Sequence, residues 1–112
     1  MYQCKQFYIN GEWVEPVEPN DLDVINPATE EPMGVISLGT SADVDKAVAA
    51  AKAAFPSFSQ TSQAERVELL QAILAIYQKR AGDIATAITQ EMGAPTKLAT
   101  AAQAGAGMAH FM

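Results

Sequence analysis

The chain has 112 residues, 49% of them hydrophobic, with 13 acidic against 7 basic side chains and a formal charge of -6. That length suits one small globular domain, and the acidic balance leaves no basic cluster to neutralise phosphates or hold an anionic bilayer, which excludes nucleic acid and membrane surfaces as partners. A single cysteine, Cys4, cannot form an internal disulfide, and no apolar leader or run of about 18 apolar residues occurs, so the expected setting is the reducing cytoplasm.

In chain order, Phe7-Tyr8-Ile9 and Glu12-Trp13-Val14 are β-prone runs on either side of Asn10-Gly11, a pair suited to the left-handed angles of a type I′ hairpin turn. Glu15 to Asp21, with Pro16 and Pro19, reads as a solvated loop. Leu22 to Ile25 is a short strand stopped by Asn26-Pro27, and Met33 to Leu38 is another, slightly weakened by Gly34. Together these predict two hairpin-like units forming a small antiparallel β layer over residues 7–38.

Helices follow over residues 41–112. From Ser41 to Phe55, Val44, Val48, Ala51 and Phe55 recur at steps of four, three and four and define one stripe. Thr40 and Ser41 are N-cap residues, Asp43 and Asp45 suit the positive end of the helix dipole, and Pro56 is expected to end the helix. The face is largely alanine, which allows another layer to approach closely. A second helix starts at a Ser62/Glu65 capping box. Val67, Leu70, Leu74 and Tyr77 form one stripe beside a second of Leu69, Ile73 and Ile76, an arc wide enough to predict burial on two sides. Gly82, near Lys79-Arg80, is expected to interrupt the pattern, and Asp83 to restart it with Ile84, Ile88 and Met92. Gly93 and Pro95 are a stop signal. The fourth helix runs from Pro95 or Thr96 to the last residue, with Leu98, Ala102, Gly105, Ala109 and Met112 on one face. The fold class is therefore α/β, or α+β for these residues in isolation: a small β layer and about four helices.

The last helix has no C-cap and no polar tail, which predicts a chain cut within a larger protein. The alanine-lined faces of the first and last helices are expected to be left uncovered by residues 1–112. Individual residues that could carry chemistry have simpler explanations. Cys4 lacks a neighbouring His or helix N-terminus to activate it. His110 stands alone in an alanine-rich segment. Gly105-Ala-Gly107 has neither the preceding strand nor the third glycine of a phosphate loop. Asp43 and Asp45 resemble a metal pair but are explained by a helix start, and Glu30-Glu31 is a solvated turn.

The ordered series Ile9-Asn10-Gly11-Glu12-Trp13, Val24-Ile25-Asn26-Pro27-Ala28-Thr29, Asp43-Val44-Asp45 leading to Ala54-Phe55, Arg66 before Leu69-Leu70, and Glu91-Met92-Gly93-Ala94-Pro95 resembles the opening of an NAD(P)-dependent aldehyde dehydrogenase. None of these motifs is specific alone; the order and spacing of all five carry the likeness over residues 7–112. Ala94 and Phe58 depart from the Lys and Trp common in the family, which bears on subfamily.

The resemblance implies that residues 1–112 are the N-terminal part of a Rossmann-type coenzyme-binding domain, ending before the nucleotide-binding strands and the catalytic domain. The parent would bind NAD or NADP and oxidise an aldehyde in the cytoplasm. A cysteine thiolate attacks the aldehyde, hydride passes to the nicotinamide, a glutamate activates water to hydrolyse the thioester, and an asparagine with a backbone N–H stabilises the oxyanion. In the family these groups all lie beyond residue 112. No catalytic or cofactor-binding residue is therefore assigned, and no dehydrogenase activity is expected of the segment alone. The resemblance also maps a Na+ or K+ site onto Val24, Ile25 and Glu91 and a substrate tunnel onto Ala102 and Ala106. It implies a homo-oligomer, dimer or tetramer, at full length, and a separate segment prone to self-associate. Two rival readings are a non-enzymatic α/β interaction module whose alanine-rich C-terminal helix docks a partner, and a family remnant with a new role.

Overall fold

In the computed structural model, which describes all 112 residues, Asn10 and Gly11 take φ values of 55° and 80°, the left-handed pair a type I′ turn requires. They join β2 (Phe7–Ile9) to β3 (Glu12–Val14) in an antiparallel hairpin that pairs Phe7 with Val14, Tyr8 with Trp13 and Ile9 with Glu12. The Tyr8 and Trp13 rings meet with centroids 5.2 Å apart on an exposed face. Strands β4 (Asp21–Asn26) and β5 (Glu31–Ser37) are joined by a tight turn in which Asn26 Oδ1 accepts the Ala28 N–H at 2.9 Å.

The β layer departs from the expected two hairpins in one respect. Tyr2–Cys4 forms β1, which lies parallel to β5 in a three-stranded sheet of order β1-β5-β4, while β2 and β3 form a separate ribbon. The layer is thus not purely antiparallel. Gly34 accounts for the pairing: it stands opposite Tyr2, whose ring occupies the space a Cβ would need. What reads as a weakness within β5 is the seat of an aromatic ring from β1.

Helix α1 spans Ser41–Phe58, passing through Pro56. Proline costs a helix most in its interior; here it removes one donor within the last turn. That turn closes through the Ser59 N–H to Phe55 O at 2.8 Å, with the Ser57 hydroxyl donating to Ala54 O at 3.2 Å and the Ser59 hydroxyl to Pro56 O at 3.1 Å. Helix α2 runs unbroken from Gln63 to Met92. The Ser62/Glu65 capping box opens it, with Ser62 N–H donating to Glu65 at 2.6 Å and Glu65 N–H to Ser62 Oγ at 3.2 Å. Gly82 does not interrupt α2: a helical glycine costs only about 1 kcal/mol, less than a long packed helix gains by continuing. Gly93, at φ 72°, terminates α2 as expected and lies against Pro27.

The last segment is a composite rod: a short α3 (Thr96–Leu98), a π turn (Ala99–Gln103) and α4 (Ala104–Ala109). It stops at Ala109 rather than continuing to Met112, with Phe111 N–H bonding back to Met108 O at 3.0 Å.

The chain divides into two units, residues 1–25 with 32–60 and residues 26–31 with 61–112. In the second, Ala85, Ala99 and Ala104 are buried, with Ile84, Ile88 and Ala94 packed around them. The first buries Val35, Ser37 and Asp43. The expected burial of α2 on two sides does not occur: Val67, Leu69, Leu70, Ile73 and Ile76 are exposed. Along α1 the stripe of Val44, Val48 and Phe55 is exposed as well. The accessible surface is 8222 Å² for 11.9 kDa. A folded monomer of that mass exposes about 5,900 Å², and two separate globules of half the mass about 7,200 Å². The apolar faces are therefore uncovered whichever way the two units are counted.

Candidate functional site

The one buried charge is Asp43, which enters at the start of α1 and turns its carboxylate inward. Oδ1 accepts the Val17 N–H at 2.9 Å, and Oδ2 accepts the Thr40 N–H at 2.9 Å and the Thr40 hydroxyl at 3.2 Å. The Thr40 amide foremost, then the Val17 amide, hold its carboxyl below the usual carboxylate range. Asp43 is thus saturated by protein donors and ties the Glu15–Asn20 loop to α1, while Asp45 is exposed on the same helix. The two do not act as a pair. The helix dipole explains only part of this placement; the Thr40-x-x-Asp43 spacing of a capping box accounts for the rest.

Among the residues assigned through the family likeness, Val24 is half-buried and Ile25 exposed on β4 of the first unit. Glu91 is exposed in the last turn of α2, in the second unit. That turn is the negative end of a long helix dipole, a position that favours a cation. Ala102 and Ala106 are both exposed on the rod, whereas Ala99 and Ala104 are buried, at 0% and 2% exposure. The expected uncovered face of the last helix is therefore real for Leu98, Ala102, Ala109 and Met112, and the opposite face is packed on α2.

The rod is seated by Tyr77. Its hydroxyl donates to Ala104 O at 2.9 Å, and its ring lies against Gly107 and 6.1 Å from the Phe111 ring, centroid to centroid. Nothing in the sequence pattern marked Tyr77 beyond its place in an apolar stripe.

Gly105 and Gly107 form no phosphate cradle, since they lie within α4 and the space beside Gly107 is taken by Tyr77. Cys4 is exposed on β1 and His110 exposed just beyond α4. No group of three or more His, Cys, Asp or Glu side chains is placed to hold a metal, and no helix is long and apolar enough to cross a membrane.

Comparison with known proteins places these features. The pattern of the Aldehyde dehydrogenase family matches residues 13–112. A 3-succinoylsemialdehyde-pyridine dehydrogenase from a Pseudomonas species is 48% identical over 113 aligned residues, covering 100% of this chain and 24% of the relative. The crystal structure of an aldehyde dehydrogenase from Bartonella henselae superposes with a TM-score of 0.97 at 49% identity, over 99% of this chain and 23% of that one. Aldehyde dehydrogenase C from Pseudomonas syringae, solved with NAD+ and octanal, gives 0.95 at 41% identity, over 96% of this chain and 22% of that one. The chain thus spans about a quarter of the length of these relatives.

Proposed function

The chain belongs to the aldehyde dehydrogenase family, and on that premise we propose that residues 1–112 form the N-terminal part of its coenzyme-binding domain, with the β layer at residues 7–38 and the helices at 41–112. The parent activity is oxidation of an aldehyde to a carboxylic acid with NAD or NADP, in the cytoplasm and within a homo-oligomer. The segment alone supplies scaffold and no reacting group. The observation that carries this reading is the uncovered apolar surface of α1 and α2, on a segment whose backbone closely matches enzymes four times its length. A self-contained interaction module would not leave two long helical faces bare.

Two finer assignments belong to the same reading. Ala102 and Ala106, on the outward face of the rod, line the aldehyde channel. Val24 and Ile25 through their carbonyls, with Glu91 through its carboxylate, bind Na+ or K+. All are hard oxygen donors suited to such an ion, and the place of Glu91 at a helix C-terminus supports it. With these 112 residues grafted into the Bartonella henselae enzyme, Glu91→Gln should abolish stabilisation by KCl or NaCl if the ion binds there; equal melting responses of the two forms would reject the site.

The decisive experiment replaces the matching segment of the Bartonella henselae enzyme with these 112 residues. The graft should form NAD(P)H from an aldehyde at a rate within about tenfold of the parent, while the 112-residue chain alone forms none. A graft that folds and assembles yet stays inactive would overturn the assignment.

A further inference from the structure

The π turn solves a geometric problem. In an α-helix, residues five apart stand about 140° from one another and cannot both face the same neighbour. Ala99 and Ala104 are five apart, yet both are buried against α2. The Ala104 N–H bonds to Ala99 O across the wide turn, and the extra residue turns both methyl groups to one side. The same insertion decides what faces away: Ala102 and Ala106, both exposed.

An inserted residue in a run of alanine and glycine is weakly anchored by shape, since its neighbours in sequence are nearly interchangeable. Something must fix where it sits. Tyr77 is placed to do so. It donates to Ala104 O at 2.9 Å, immediately after the π turn; it fills the space beside Gly107, where a Cβ would stand 3.1 Å from its Cζ; and it meets the Phe111 ring. One side chain of α2 thus engages Ala104 and Gly107, three apart on one face of the rod, and Phe111 in the turn just beyond it.

We propose that Tyr77 is a positioning residue that sets the rotation of the rod and thereby selects Ala102 and Ala106 as the side chains presented to the aldehyde. This rests on the channel reading given above. A rod that slips by one residue turns its face by about 100° and brings the bulkier Gln103 to where Ala102 stands. Tyr77 therefore acts on specificity for long aldehydes, with no part in the chemistry.

The test uses Tyr77→Phe, which keeps the ring and removes the hydroxyl, and Gly107→Ala, which pushes the hydroxyl aside and leaves Tyr77 intact. In the 112-residue chain, hydrogen exchange of the amides from Ala99 to Ala104 should quicken about fivefold in Tyr77→Phe, the effect of one neutral hydrogen bond. In the Bartonella graft, either variant should lower the ratio of kcat/KM for octanal over propanal at least about fivefold, while kcat for propanal changes less than about twofold. The double variant should add little to either single, because both remove the same contact. Unchanged exchange, or an active graft whose octanal-to-propanal ratio is unmoved by both substitutions, would overturn the role of Tyr77. An unsubstituted graft without activity would instead overturn the family-based function on which the proposal rests.

Discussion

The two units of the chain are held by different chemistry. In residues 1–25 and 32–60, the loop before β4 is tied to α1 by a carboxylate: Asp43 gathers three donors from Val17 and Thr40, and the alanine face of α1 meets the Tyr8–Gly11 end of the hairpin only across an open groove. In residues 26–31 and 61–112, close contact is made by methyl groups, with Ala85, Ala99 and Ala104 letting the rod approach α2 and a single phenol keying it in place. The first unit is fixed by direction, because hydrogen bonds demand geometry; the second by proximity, because alanine offers little else. In both, many of the larger apolar side chains stay exposed, among them Val48 and Phe55 in the first and Leu69 and Ile76 in the second. Small, specific contacts shape each unit, and long apolar faces stay exposed beside them.

The largest effect that separates the units is overpacking. Ala104→Leu adds three carbons where exposure is 2% and should destabilise the second unit by about 1–3 kcal/mol, read from denaturant unfolding. On the first unit, removal of an outward-facing ring, Phe55→Ala at a side chain 69% exposed, should instead fall within about 0.5 kcal/mol of zero. Equal costs at the two sites would break the distinction. Next in size comes a gain. Gly82 lies within α2 with nothing within 4 Å of where a Cβ would stand, so Gly82→Ala should stabilise the helix by about 0.5–1 kcal/mol. A loss instead would mean that α2 needs a break there, the interruption that the sequence pattern predicts.

What the sequence made legible were features decided within a few residues. The Asn10-Gly11 turn, the Ser62/Glu65 capping box and the Gly93 stop each follow from local backbone preference, and each is found as expected. Features decided by a distant partner were not legible. β1 exists because Gly34 leaves room for Tyr2. Gly82 and Pro56 are tolerated because helix continuation outweighs one weak residue. The π turn arises because Ala99 and Ala104 must both meet α2. The stripes of α1 and α2 were read correctly as apolar faces, but periodicity tells which residues share a face and not what lies opposite. For the candidate site, Ala102 and Ala106 were legible only through the family likeness, and Tyr77, which meets Ala104 27 residues away, was not legible at all.

The smallest effect is local and depends on pH. Asp43 has its folded-state carboxyl depressed, by the Thr40 amide first and the Val17 amide second. A depressed carboxylate contributes stability that is fully present above its unfolded pKa of about 3.9 and is lost as pH falls through the lower folded value. The first unit should therefore hold its loop at neutral and mildly acidic pH and release it only below about pH 4. Hydrogen exchange at Val17 and Thr40, corrected for the intrinsic pH dependence of exchange, should show protection collapsing in that range. The Tyr77 contact involves no carboxylate, so protection from Ala99 to Ala104 should stay flat over the same range. Asp43→Asn should mimic the acid state at pH 7, because one carboxylate oxygen becomes a donor facing an amide N–H. If both regions lost protection together on acidification, the loop and the rod would be parts of one cooperative structure, and the contrast between a charge-tied and a methyl-packed unit would not hold.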